Sequence, residues 1–519
     1  MLDIKINRKQ EENILNQKEV IEVNNKNKIS LRKNKNYLIL QKRRENLIEH
    51  LKLDYSNIKT EFRFKIQNLK DSINQIFNCL NSNNKDLISY CLNELRIYFS
   101  LNYLKSKDQK IIIERNFLDV LLFFGIKFLE IKDNSNIEQI LYILINIQSF
   151  QEGSNDYLIK LYTEPFFEFL YNCLMSMKKK DLFYLINLIL LNMSINDESN
   201  KYNLLFLRSK IFSSILDTIK EKNDICIKDK AVSINIIRYA VDLSSFEKSI
   251  DKKDTAIINR CIGILIENIY GEKNEEILIP AYEGLFNISN LDNSFNFNKK
   301  LINKGATLKI LKSKFYILNL NESNKRIIIN ALRIISNNLT TSDKNCQIIY
   351  DLNIIDYYDK ILAKFDDNYS ILYAVFCGLA NISVGRHKNI VKDSIIFSHQ
   401  KIEKYCNSGQ EILLLFIKII RFLIYNSEYD TLKFIFNTKI LEYFLFLFNT
   451  NNLNQIVYNK IIKVIDTYLK RFNAELKGSK EYLYIYYKFK DILEFSDKIN
   501  NLDNLLISSV IKNIGTNYQ

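Results

Sequence analysis

The feature that most constrains this chain is its shortage of residues that turn a backbone. Only 2 prolines and 11 glycines stand in 519 residues, where average usage would place about 60 of the two together. A β-sandwich or barrel needs turn residues roughly every 8–12 positions, and a dinucleotide-binding sheet needs a glycine fingerprint at its first turn. Neither can be written with this allotment. With 47% hydrophobic residues, 33 Phe and 31 Tyr, the chain has ample apolar mass for a large core and is not globally disordered. An all-α fold is the expectation.

Asn, Lys and Ile dominate the remainder and Trp is absent, a bias that makes raw counts of Lys and Asn weak arguments. The net charge of +14, from 73 Lys+Arg against 59 Asp+Glu, would suit an acidic partner such as nucleic acid. It is dilute over this length, so a solvated surface is the better reading and no direct nucleic-acid binding is expected. The cysteines (Cys79, Cys91, Cys173, Cys226, Cys261, Cys346, Cys377 and Cys406) include no C-x-x-C pair, and His50, His387 and His399 are the only histidines that could join them. Zinc modules need four ligands at tight spacing. Buried free thiols in a reducing compartment are expected instead, with no metal and no cofactor. The N-terminus lacks the apolar run of a secretory signal. Two apolar runs, residues 182–195 and 412–425, fall short of the roughly 20 residues of a membrane span, and the second carries Lys418 and Arg421. A soluble intracellular chain with no membrane partner is expected.

The first 50 residues differ from the rest. They hold 12 Lys/Arg against 7 Asp/Glu, a net +5 that leaves +9 for the other 469 residues. Leu31, Leu38, Leu47 and Leu51 give part of this segment a helical period. From about residue 70 the chain repeats itself. Helix-like apolar runs end in an Asn at Asn146, Asn192, Asn287, Asn337, Asn381 and Asn426, with Asp242 filling the one gap; the spacings are 46, 50, 45, 50, 44 and 45. A short polar stretch and a second apolar helix follow each position. In KKLINKGATLKILKSKF, residues 299–315, Gly305 can turn the chain between two helices, and DLNIIDYYDKIL (351–362) repeats the plan without Gly. Pro165 fits the first turn of an equivalent helix. Period and helix–turn–helix units together indicate an α-solenoid, in or slightly above the roughly 40–47-residue range of HEAT and armadillo repeats.

The phrase GLANISVG around Asn381 resembles the armadillo-repeat signature, and residues 68–100 are similar to the opening repeat of importin-alpha (karyopherin-alpha). LRKNKNYLILQKRR, residues 31–44, resembles the importin-beta-binding motif at ungapped spacing: Leu31, Arg32 and Lys33, eight intervening residues, then Lys42, Arg43 and Arg44. The resemblance implies a basic, partly disordered importin-beta-binding arm at 1–50, a linker at 51–67, about ten divergent armadillo repeats over 68–495 and a C-terminal tail at 496–519. It implies a nuclear import adapter, shuttling between cytoplasm and nucleus, that links cargo to importin-beta. Its groove would hold the basic localisation-signal peptide of the cargo, and its last repeats would meet the export receptor with Ran. Leu31, Arg32 and Lys33 would lie on the helix gripped by importin-beta, and Lys42, Arg43 and Arg44 would occupy the groove when importin-beta is absent.

The chemistry of such a groove makes sense of the Asn series. A primary amide offers a donor and an acceptor together, so one per repeat can hold an extended backbone without reading its sequence. By resemblance, an aromatic one helical turn earlier packs the stem of each cargo lysine. Here those positions are Tyr142, Leu188, Arg238, Glu283, Arg333, Cys377 and Phe422. Tyr142 and Phe422 keep a ring, and Arg333 stands where the family tolerates Arg. The candidate peptide-binding set is therefore Tyr142, Asn146, Asn192, Asp242, Asn287, Arg333, Asn337, Asn381, Phe422 and Asn426. A second reading stays open, an armadillo scaffold for a different partner that has lost cargo-peptide recognition, because Arg238 would repel a cationic cargo. No glycine-rich phosphate loop, H-E-x-x-H or G-x-S-x-G is present, and paired carboxylates such as Glu275 and Glu276 read as a solvated face. No enzymatic activity is expected.

Overall fold

The structure is a computed structural model that describes residues 85–101, 116–148, 162–176, 180–196, 202–221, 225–243, 249–291, 296–340, 343–425, 428–449, 454–475, 483–485 and 487. The basic arm, the linker and the C-terminal tail lie outside the described residues, as do Leu31, Arg32, Lys33, Lys42, Arg43, Arg44 and Asn426. Every regular element among the described residues is helical. The chain forms two units, Met1–Ile264 and Leu265–Gln519.

In the first unit the order is α1 (Lys85–Leu101), α2 (Phe117–Glu130), α3 (Asn134–Gln148), α4 (Glu164–Ser176), α5 (Lys180–Asn196), α6 (Asn203–Arg208), α7 (Lys210–Glu221), α8 (Ile227–Ala240) and the greater part of α9 (Lys252–Gly271). Helix α7 shows why such segments are helices. Ile211, Phe212, Ile215 and Leu216 are fully buried on one stripe, at the spacing that aligns residues on one helical face. Helices α1, α3, α5 and α8 pack side by side in that order and form a ladder. Asn136 of α3 donates to Ser89 Oγ of α1 at 2.7 Å, and Asn187 of α5 donates to Ser233 Oγ of α8 at 3.1 Å. The apolar run 182–195 lies within α5, which has ladder neighbours on both sides, so its hydrophobicity serves packing. Behind the ladder, Arg208 of α6 forks onto Asp254 of α9 at 2.9 and 2.8 Å.

The second unit continues with α10 (Glu275–Ser289), α11 (Phe297–Asn303), α12 (Ala306–Lys312), α13 (Glu322–Asn338), α14 (Asp343–Asp351), α15 (Ile354–Phe365), α16 (Tyr369–Val384), α17 (His399–Cys406), α18 (Gln410–Ile424), α19 (Tyr429–Asn437), α20 (Ile440–Asn449) and α21 (Gln455–Glu475). Here the ladder is α10, α13, α16, α18 and α21. Asparagine starts all of these helices but α18: Asn274, Asn321 and Asn368 each accept a backbone N–H of the first turn of α10, α13 and α16, and Asn454 does so for α21. Such caps satisfy donors that a helix cannot satisfy itself. Gly305 stands at the left-handed position before α12 with φ 83°, and Asn353 holds the same place before α15 with φ 56°. Asparagine tolerates that region better than other side chains, so the turn plan survives without glycine. Among the described residues no helix is long and apolar enough to cross a membrane, and no group of His, Cys, Asp or Glu could hold a metal. The described cysteines are free thiols. Cys226 departs from the expected burial: it is exposed and caps α8, its Sγ accepting from the Asp229 N–H at 3.4 Å.

Asp366, just past α15, ties it to α17 through Lys401 and Lys404. Burial alone would raise its pKa, but the hydrogen bonds and charges of the two lysines hold it below the usual 3.8. A depressed carboxylate pKa contributes stability that is fully present above the unfolded value and lost as pH falls through the folded one. Asp366→Asn is therefore expected to cost about 1 kcal/mol at neutral pH, a modest figure because solvent screens partly exposed lysines. Urea midpoints of variant and parent should converge below pH 3.8; a constant gap would mean that the charge is not what matters.

Candidate functional site

The described asparagines of the series lie on the ladder helices and Asp242 just past one, but these residues sit in different environments. In the first unit Asn146 on α3 and Asn192 on α5 are each 2% exposed, and Leu188, one turn before Asn192, is 3% exposed. Asn192 Oδ1 is buried without a hydrogen-bond partner. A peptide reaches these amides only if what lies over them moves. Tyr142 is half-buried and already carries the Arg96 guanidinium of α1, at 5.8 Å from its ring centroid. Burial lowers the Arg96 pKa, partly offset by Tyr142 and Glu138. Arg238 lies over Tyr239 at 4.4 Å. Asp242 is half-buried just after α8, and its backbone carbonyl accepts from Asn203 Nδ2 at 3.0 Å. The aromatic faces near this ladder are thus capped by the protein's own arginines.

In the second unit the corresponding stripe is half-open: Phe286 and Asn287 on α10, Arg333 and Asn337 on α13, Tyr373, Cys377 and Asn381 on α16, and Lys418 and Phe422 on α18 are all half-buried. Asn337 gives its amide hydrogens to Ser289 Oγ at 2.9 Å and Asn290 Oδ1 at 2.8 Å. Asn381 gives its own to the Ser336 carbonyl at 2.9 Å and Ser336 Oγ at 3.0 Å. Each amide donor is therefore spent on the preceding ladder helix, and the Oδ1 atoms remain as acceptors. The donor half of the expected backbone clamp belongs to the fold, because successive repeats need a polar tie where their helices end. Asn381→Ala is expected to lower stability by about 1–2 kcal/mol through the lost ties. An unchanged urea midpoint would show that water replaces them.

Arg333 rests on the ring of Phe286, 5.4 Å from its centroid. Burial pushes its guanidinium below the usual range, with small opposing effects from Cys377 and Tyr373. Burial also pushes the Cys377 thiol up to about 11, against the Tyr373 hydrogen bond and the positive charges of Arg333 and Lys418; it is not a nucleophile at neutral pH. Lys388, between α16 and α17, donates to the Phe422 carbonyl at 3.4 Å and to that of Tyr425. A cation there satisfies the open carbonyls at the C-terminus of α18.

Phe286, Tyr373 and Lys418 join the stripe without having been singled out from sequence. All three had a detectable signal: Phe286 stands one residue, and Tyr373 and Lys418 one helical turn, before a position of the repeat register. Ser289 and Ser336, which receive the ladder amides, had none.

Solved structures resemble this chain in fold. One, from work on a phosphorylation switch that controls the interaction between cadherin and beta-catenin, matches with a TM-score of 0.57 at 11% identity, over 87% of this chain and 83% of the other. A computationally designed armadillo repeat protein for modular peptide recognition matches with a TM-score of 0.41 at 15% identity, over 49% of this chain and 99% of its own. The complex of SYS-1 and POP-1 matches at 0.49 and 11% identity, over 95% and 99%. No family model matches the chain, and no curated protein does. The fold is an armadillo-repeat α-solenoid.

Proposed function

We propose that this chain is a peptide-holding adapter, and that it serves nuclear import: the arm at 1–50 engages importin-beta, and the ladder face holds the localisation signal of a cargo. On this reading it shuttles between cytoplasm and nucleus and is recovered by an export receptor with Ran. The observation that carries the peptide-holding part is the pair Asn337 and Asn381, one repeat apart, each half-buried and anchored by its amide hydrogens, which leaves Oδ1 as an acceptor. Rigid acceptors at repeat spacing suit the backbone N–H groups of an extended segment. The import part rests on the resemblance of residues 31–44. A second reading, a scaffold for a partner that is not a basic signal, is favoured by the cations Arg333 and Lys418 on the same stripe.

Pull-downs with importin-beta and, separately, with a Lys-rich localisation peptide test both parts. The adapter reading expects both to bind. Deleting residues 1–50 should abolish importin-beta binding and leave the melting temperature unchanged, since repeats are stabilised by their neighbours. Retained importin-beta binding after deletion would sink the assignment of the arm.

A further inference from the structure

Among the described residues, the ladder face of the second unit holds a cation that no carboxylate pairs with. Arg333 is half-buried on α13 against Phe286, and among the described residues no carboxylate lies within ion-pair distance of it. Arg326, two turns earlier on the same helix, shows the contrast: it is bound to Glu283 of α10. Glu283 occupies the position in its repeat that Arg333 occupies in the next, so the one acid in that register is already engaged. One repeat further on, the same register holds Cys377. Lys418, on the next ladder helix, bears on that thiol as Arg333 does, and no carboxylate pairs with it among the described residues. The acid facing the same thiol, Glu411, accepts the Tyr369 hydroxyl at 2.7 Å.

A partly buried guanidinium with no counter-ion is a cost that the fold itself does not recover. A ligand carboxylate would recover it, because a charge-assisted hydrogen bond to a desolvated arginine is stronger than one made in water. An all-lysine segment would meet like charges on both sides of the repeat that carries Cys377.

We propose that this stretch, with Arg333 and Lys418 flanking Tyr373 and Cys377, seats the carboxylate side chains of an extended acidic peptide. The Oδ1 atoms of Asn337 and Asn381 accept its backbone N–H groups. This rests on the peptide-holding part of the proposed function alone; it follows the second reading, a partner that is not a basic signal, and competes with the basic-signal one.

Fluorescence anisotropy on the full chain separates the possibilities, using fluorescein-labelled poly-glutamate, poly-glutamine and poly-lysine peptides of equal length and oligothymidylate of matched charge. Poly-glutamate is expected to bind at least about tenfold more tightly than poly-glutamine. Arg333→Gln and Lys418→Gln should each weaken it by about tenfold, and Arg333→Lys should keep part of the affinity. Helical circular dichroism and melting of each variant check the fold, and if Arg333→Gln does not fold, Lys418→Gln decides. If poly-lysine binds and poly-glutamate does not, the peptide-holding face stands and the acidic assignment is overturned. If no peptide binds, the peptide-holding reading falls and takes this proposal with it. Oligothymidylate binding more tightly than poly-glutamate, with the same variants weakening it, would mark a nucleic-acid surface and overturn the proposal.

Discussion

Replacing Arg208 by methionine is expected to cost about 3–5 kcal/mol of folding stability, the usual penalty for stripping a buried charge of its partner. Asp254 has 0% side-chain exposure, while Arg208 is 44% exposed. The pair is therefore a surface cation reaching down to a carboxylate that water does not reach. The guanidinium meets both Asp254 oxygens, at 2.9 and 2.8 Å, and also donates to the Ser249 carbonyl at 3.1 Å. Without it, Asp254 keeps the Asp251 backbone N–H at 2.9 Å. Methionine preserves most of the stem volume, so the loss reports charge and hydrogen bonding rather than a cavity.

Urea unfolding of the single and double variants separates the contributions. Arg208→Met combined with Asp254→Leu should recover most of the lost stability, because an apolar pair of similar size often serves as well as a buried ion pair. The deficit of the single variant should change little with salt, since screening acts weakly on buried charges. A single variant within about 1 kcal/mol of the parent would mean that water enters and solvates Asp254, and that the pair belongs with weak surface bridges.

The Arg208–Asp254 pair also shows what could and could not be seen in the sequence. The two residues are 46 apart, the same repeat spacing that revealed the Asn series. A period tells which positions are equivalent in successive repeats, and with them the fold class and the helix–turn–helix plan. It does not tell what lies over a position. Asn146 and Asn192 share the register of Asn337 and Asn381, yet the first two are buried and the latter two half-open. Tyr142 has the ring expected of its position, but Arg96 from the neighbouring ladder helix already lies on it. The compositional bias toward asparagine also masks a structural use. Asn116, Asn296 and Asn353 take left-handed backbone at helix starts, and Asn274, Asn321 and Asn368 cap ladder helices through their side chains. In a chain short of glycine and proline, this residue provides much of the punctuation.

Gly378→Ala is expected to destabilise the second unit by about 2 kcal/mol net, the balance of two opposed effects. In a helix interior alanine is favoured over glycine by about 1 kcal/mol. Overpacking a rigid core costs about 1–3 kcal/mol or more, and this site falls at the high end. A Cβ on Gly378 would lie 2.1 Å from the Tyr358 hydroxyl oxygen and 2.6 Å from Cζ. Tyr358 of α15 is fully buried and its hydroxyl has no hydrogen-bond partner, so the ring has no open space to swing into. The close approach of α15 to α16 explains the glycine, which stands three residues before Asn381. Tyr358→Phe alone should be neutral or slightly stabilising, because it removes an unsatisfied buried hydroxyl. In the Gly378→Ala background it should recover only part of the loss, since Cζ still obstructs. Gly271→Ala is the control: nothing lies within 4 Å of a Cβ there, and its melting temperature should match or exceed the parent's. If Gly378→Ala melts like that control, α15 can be displaced from α16 at little cost. The spacing that positions Cys377 and Asn381 on the ladder face would then be soft.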